Sequence, residues 1–354
     1  MRKRGNDWLI YGAYGYTGEL VAREAVQRGH RPLLAGRSER KLRPLAEDLG
    51  LEYACVDLTD AVRLREVCSK VALVFHAAGP FVHTASPMVR ACLHTGTNYV
   101  DVTGEIPVFE KNFLHDKHAG KKGIALISGV GFDVVPTDCL SAYVVGKIPN
   151  AQTLRLAFSG LGGFSRGTLK TLLAHLHEGI LVRREGKLVS YDSRLDRASD
   201  FRRHLGHLTP ITWGDLSTAY HSTGVPDIAV FMHFMGNWAP AARIAWSVSR
   251  RLLAVDAIRT TALGFVNRRI SGPNEHTRKT ARSTIWAEAT NPHGESAFAR
   301  LETMEAYRLT AVAGVRAVER VLATSPRGAL TPSQAFGAEF AFELPQTRLI
   351  TDFS

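Results

Sequence analysis

Apolar runs alternate with amphipathic stretches through the first 140 residues. Residues 8–11 (WLIY) are apolar and stop at Gly12, as a buried parallel strand does at a turn. From Thr17 onward Leu20, Val21, Ala25 and Val26 recur at helical spacing, and Gly29 closes the segment as a C-terminal cap would. Residues 31–35 form a second apolar run, "EYACVD" a third strand, "AVRLREVCSK" a helix, "VALVFHAAG" a fourth strand and "PMVRACLHTG" a helix. "NYVDVTG" reads as a fifth strand, a helix runs through about Lys122, and "IALIS" is a sixth strand. This repetition predicts an α/β fold with a Rossmann-type, doubly wound parallel sheet covered on both faces.

After Pro149 the alternation loosens. "TLRLAFSG" predicts a strand, "RGTLKTLLAHLHEG" a helix, and "ILVRREGKLVSY" a hairpin about residues 185–187. "RSTIWAEATNPHGESAFARLETM" predicts two strands joined at "NPHG", followed by a helix over about 305–323. These elements imply a second α/β domain with a mixed sheet. "TSPRGALTPSQAFG" carries two Pro-containing helix-start signals. The expected organisation is a nucleotide-binding domain over 1–148, a substrate domain over 149–310 and C-terminal helices over 311–354. In residues 241–266, Ile244, Val248, Leu252 and Val255 share one helical face while Arg243, Arg250, Arg251 and Arg259 lie elsewhere. The arginines exclude a spanning helix, leaving a surface helix over the domain core or a docking face for a membrane or acidic carrier.

The chemistry collects where strands end. Gly12, Gly15 and Gly18 fall on the first strand-to-helix turn, where bare backbone lets a pyrophosphate approach free N–H groups and the positive end of a helix dipole. Gly12, Gly15, Tyr16, Thr17 and Gly18 are therefore candidate cofactor contacts. The second strand ends in "GRSERKL": an acidic residue here would accept bonds from the ribose hydroxyls of NAD, whereas Arg37, with Ser38 and Lys41, suits a 2'-phosphate. NADP(H) is the predicted cofactor. Asp57 suits either the adenine edge or a helix-start turn, and Ala78, Gly79, Pro80 and Phe81 would bring backbone near the nicotinamide ribose. Gly104 and Asp133 follow the fifth and sixth strands; Asp133 reads as a proton donor or as the cap of a helix beginning near Pro136.

Composition narrows the class without naming it. A chain of 354 residues, 45% hydrophobic and 22% charged, suits a globular protein of two domains. The net charge of +11 favours anionic partners, yet no zinc-finger spacing or RNP-like aromatic pattern accompanies it, so no nucleic-acid binding is expected. Cys55, Cys68, Cys92 and Cys139 are far apart and read as reduced, buried thiols; no metal site is expected. "MRKRGNDW" leads into no signal-type apolar region, and a cytoplasmic protein is expected.

"YGAYGYTG", "AGRSERKL", "AAGPF", "ACLHTGTNYVDVTGE" and "GVGFDVVPTD", in this order, resemble the saccharopine dehydrogenase-like oxidoreductases, including trans-acting enoyl reductases. The likeness is dense over 8–140 and thin through "SRGTLKTLLAHL", "GPNEHTRKTARS", "EAYRLTA" and "LTPSQAFG". Tyr14 stands where the family usually has a small residue. The resemblance implies an NADP(H)-binding domain joined to an α/β domain, a tail that packs back near the first, and Tyr307 as a candidate proton donor. It also implies three functions to separate: reduction of the C=C bond of a small-molecule or carrier-bound acyl substrate, reduction of a C=N bond in an amino-acid substrate, and a non-catalytic NADP-binding sensor. Acyl carrier protein, a membrane surface and a second copy in a homodimer are the partners to consider. An imine substrate bearing several carboxylates would need converging cations, for which Arg166, Arg278 and Arg282 are available.

Overall fold

The computed structural model describes residues 8–160, 163, 179–192, 205, 208–233 and 272–351. The helix expected in "RGTLKTLLAHLHEG", with Arg166, and the basic segment 241–266 lie outside the described residues. Two compact units divide the chain: 1–135 with 307–344, and 136–306 with 345–354. Their boundaries fall at other places than the expected 148 and 310 because the seventh helix belongs mostly to the second unit and the long helix after residue 306 to the first.

The first unit opens as the pattern of apolar runs requires. β1 (Trp8–Tyr11), β2 (Leu33–Gly36), β3 (Tyr53–Cys55), β4 (Leu73–His76), β5 (Asn98–Asp101) and β6 (Ala125–Ile127) alternate with α1 (Tyr16–Gln27), α2 (Glu39–Leu49), α3 (Ala61–Cys68), α4 (Phe81–Thr95), α5 (Ile106–Phe113) and α6 (Asp116–Lys122). α7 (Val135–Val145) follows and carries the chain into the second unit. β1 and β4 are buried at every position, which is why they read as unbroken apolar runs rather than as alternating ones.

In the second unit β7 (Thr153–Ser159), β8 (Leu181–Arg184), β9 (Lys187–Ser190), β10 (Leu208–Ile211), β11 (Asp227–His233), β12 (Arg282–Thr290) and β13 (Ser296–Met304) accompany α8 (Asp215–Thr223) and α9 (Glu275–Thr280). β8 and β9 are joined by Glu185 and Gly186, both at positive φ, the conformation a two-residue hairpin needs. β12 and β13 pair antiparallel over nine residues each, as expected from "NPHG" between them. β7 and β11 are parallel, so the sheet is mixed. Ala157, Leu208, Phe231 and Trp286 form a small core against it.

The chain then returns to the first unit with α10 (Ala306–Thr324), β14 (Gly328–Leu330) and α11 (Pro332–Phe336), and ends with β15 (Arg348–Ile350) in the second. The first sheet runs β14-β6-β5-β4-β1-β2-β3, all neighbours parallel, and the second β15-β13-β12-β7-β11-β8-β9 with β10 on β11.

Four local expectations are corrected. The tail segment holds a strand before its helix: β14 pairs with β6 because Asp116 accepts from the Ala329 N–H and pins the three residues to the sheet edge. α4 begins six residues before Pro87, which sits inside the helix rather than at its first turn. The stretch before β6 is two helices, broken between Phe113 and Asp116. Cys55 is exposed, because it lies on the edge strand β3; the other three cysteines are buried.

Candidate active site

The order of the first sheet reverses between β1 and β4, and ligands of such sheets lie beyond the strand ends at that point. Gly12 ends β1 there, with φ +84°; a Cβ on it would stand 2.8 Å from the Ala78 Cβ beyond β4. Its N–H donates to the Ala35 carbonyl at 2.8 Å, which folds the turn over the end of β2. Gly18 is more constrained: a Cβ there would lie 2.3 Å from the Gly12 carbonyl oxygen, so only glycine lets α1 pack this close to the strand it follows. Gly15 is the N-cap of α1 and makes no side-chain capping bond. The first-turn N–H groups at Tyr16, Thr17 and Gly18 thus face an end of the helix fitted to a phosphate.

The loop after β2 supplies positive charge. Arg37 and Lys41 are exposed, and Arg37 is in no ion pair among the described residues. Ser38 occupies the N-cap of α2 in extended conformation with its hydroxyl not spent on the helix. Tyr14 explains its own departure from a small residue: its ring lies against Gly36, where a Cβ would be 2.7 Å from Cε1, and Lys41 sits over it at 5.5 Å. The ring forms a wall between the glycine turn and the basic loop. Asp57 spends its carboxylate on the Thr59 N–H and hydroxyl, at 2.9 and 2.7 Å. Those bonds, with Arg37 nearby, hold its pKa below the usual carboxylate range. Asp60, not Asp57, caps α3.

The loops after β4, β5 and β6 are held by two buried carboxylates that sequence reasoning missed. Glu105 accepts from the Phe81 and Val82 N–H groups, at 2.9 and 2.7 Å, so the N-terminus of α4 is already closed by an anion. The Gly79–Pro80 peptide bond before α4 is cis. Phe81 turns its ring inward against Ala85 and Val108, and its amide is taken by Glu105, so it offers neither group to a cofactor. Ala78 and Pro80 are half-buried and Gly79 is exposed on the loop.

Asp101 accepts four bonds: from the Thr103 and Gly129 N–H groups and from the hydroxyls of Tyr99 and Ser128. Burial nevertheless pushes its pKa up to about 6, the four donors opposing it. His76 joins the same chain through Tyr99, and burial drives its pKa down to about 3, so its ring is neutral. The only signal in the sequence for this network was a set of polar residues at the ends of apolar strands.

Asp133 and Tyr307 are placed at the same end of the first unit. Gly104 admits the Asp133 carboxyl, since a Cβ on it would stand 3.0 Å from Oδ2. Burial raises the Asp133 pKa to about 6. Tyr307, in the first turn of α10, is 9% exposed and meets Tyr16 edge to face at 5.0 Å. This contact sets its ring beside the start of α1.

Residues 8–127 match the family model described as the saccharopine dehydrogenase NADP binding domain. A trans-acting enoyl reductase of Mycobacterium leprae is 26% identical over 417 residues, 98% of this chain and 97% of that protein. A Mycobacterium tuberculosis relative is 32% identical over 185 residues, and the match spans 47% of this chain but only 43% of that relative's length. Among solved structures, apo saccharopine dehydrogenase (L-Glu forming) from Saccharomyces cerevisiae shares the fold, with a TM-score of 0.59 at 13% identity over 98% of this chain and 100% of that one. The residues of the glycine turn and the basic loop fit that cofactor. Residues 8–127 thus form a domain of the saccharopine dehydrogenase NADP-binding kind, with NADP(H) as its cofactor.

Proposed function

We propose that the chain is an NADPH-dependent reductase of the C=C bond of an unsaturated acyl substrate, free or carrier-bound. The observation that carries the reductase reading is the glycine turn at the sheet's switch point, where Gly12 and Gly18 leave no room for a Cβ, together with the exposed Arg37 after β2. The cofactor, when bound, supplies the hydride. The chain's own residues do the rest: the glycine turn and Arg37 bind and orient, Tyr16 and Tyr307 wall the turn, and Asp133 holds a proton at its carboxyl for the alkene carbon next to the one that takes the hydride. The choice of C=C over C=N is supported by relatives named trans-acting enoyl reductases. It is also supported by Arg278 and Arg282, whose guanidinium groups donate to the backbone carbonyls of Pro273, Lys279 and Ala281.

The test is NADPH oxidation with enoyl thioesters of increasing length beside mixtures of 2-oxo acid and amine. Consumption with the thioesters alone is expected. Consumption with the oxo acid mixtures alone would replace the acyl reading by an imine one, and tight NADPH binding with neither would favour a sensor.

A further inference from the structure

A groove of about 830 Å³ runs along the first unit between α3, α4 and α6. Arg65 enters it from α3, Arg90 and His94 from α4, and His115, His118 and Lys122 from α6 and the residue before it. Among the described residues no carboxylate lines it. The acids on the same elements are engaged elsewhere: Glu66 pairs with Arg63 at 3.0 Å, Asp60 caps α3, and Asp116 accepts from the Ala329 N–H. Arg65, Arg90 and Lys122 are in no ion pair among the described residues.

Three elements therefore converge positive charge on one concavity with no carboxylate among its described lining residues to meet it. Burial and then the neighbouring His118, Lys111 and Arg90 depress the pKa of His115, which reports the same field. Below the cations the groove is apolar, with Leu64, Ala91 and Leu93 buried in its floor. Its volume falls in the range of about 300–1,000 Å³ typical of small-molecule sites. Its end at Leu58, Thr59 and His83 adjoins the rim, next to Asp57 and to the first turn of α4; from there it follows α4 through Pro87, Arg90 and His94 away from the switch point.

We propose that this groove binds a small organic phosphate bearing an apolar arm, at a site separate from the glycine turn. A phosphate accepts from several donors at once, and two arginines, a lysine and histidines from three elements supply them. The apolar floor takes the arm.

Calorimetric titration of the NADPH-saturated protein tests this, with octyl phosphate, inorganic phosphate and octanol as the three probes. Octyl phosphate is expected to bind saturably and at least about tenfold more tightly than inorganic phosphate, with no measurable binding of octanol. The double variant Arg65→Gln, Arg90→Gln should weaken octyl phosphate by about tenfold or more while NADPH affinity holds. Lys122→Gln, a single exposed change, should weaken it less, and the imidazole resonances of His94, His115 and His118 should shift on binding. Absence of saturable binding, unchanged affinity in the variants, or displacement of octyl phosphate by NADPH would overturn the site. Equal binding of octanol would overturn the anionic ligand, and equal binding of inorganic phosphate the apolar arm.

Discussion

At the scale of the single residue, Arg37 stands exposed, and in no ion pair among the described residues, where NAD enzymes place an acid. Arg37→Asp should weaken NADPH by about tenfold or more and improve NADH, read by fluorescence titration of both. This residue was legible because its identity and its distance from the glycine turn carry the meaning. Asp133 was legible only as two alternatives, since its role depends on what packs around it. Its carboxyl pKa, raised by burial to about 6 from an ordinary 3.8, means that the folded chain binds more protons than the unfolded one between those values. It thus costs stability as pH rises through that window, as does Asp101, whose pKa is raised in the same direction. Asp133→Asn should reduce the fall in melting temperature between pH 4 and pH 7. In the proposed reaction, where Asp133 supplies the proton, the reduction rate should decline above about pH 6, and the asparagine variant should lose that limb and about a hundredfold in rate. Full activity of the variant at pH 7 would remove Asp133 from the reaction.

Among the elements, α4 shows where reading from the pattern stops. Its apolar positions were visible in the sequence, but its start was not, because the group that fixes it comes from 24 residues further along the chain. Glu105 satisfies two N–H groups from a position 4% exposed, a contact that periodicity cannot encode. Glu105→Ala should cost about 1–2 kcal/mol in urea unfolding and raise the KM for NADPH through the loop it steadies, while Glu105→Gln should lose about half as much. β14 was missed for a related reason: three residues next to proline-rich turns have too little pattern to announce a strand, and pairing with β6 makes them one. The nine-residue strands β12 and β13 were legible because length and the "NPHG" turn agree.

At the scale of the molecule, neither unit is a continuous stretch of chain: contacts between distant segments leave no periodic trace, and only the family resemblance implied a tail returning to the first domain. Glu319 on α10 shows how the returning segment is secured within the first unit: it pairs with Arg28 and His30 at the end of α1, at 2.8 and 2.9 Å. Burial works to raise its pKa, but the two partners together hold it below the usual value of 4.5. A depressed carboxylate adds stability above its unfolded pKa and loses it as pH falls through the folded one. Glu319→Gln should therefore melt lower than wild type at pH 7, and the two should converge below about pH 4. The last strand has the opposite office in the second unit. Arg348–Ile350 lies along the outer side of Ser296–Met304 at Arg300–Glu302, so three residues cover that part of an edge whose free N–H and C=O groups would otherwise invite another chain. A protease nick or a deletion just before Pro345 should turn that edge into a template for self-association, seen as rising light scattering at a concentration where the intact chain stays clear.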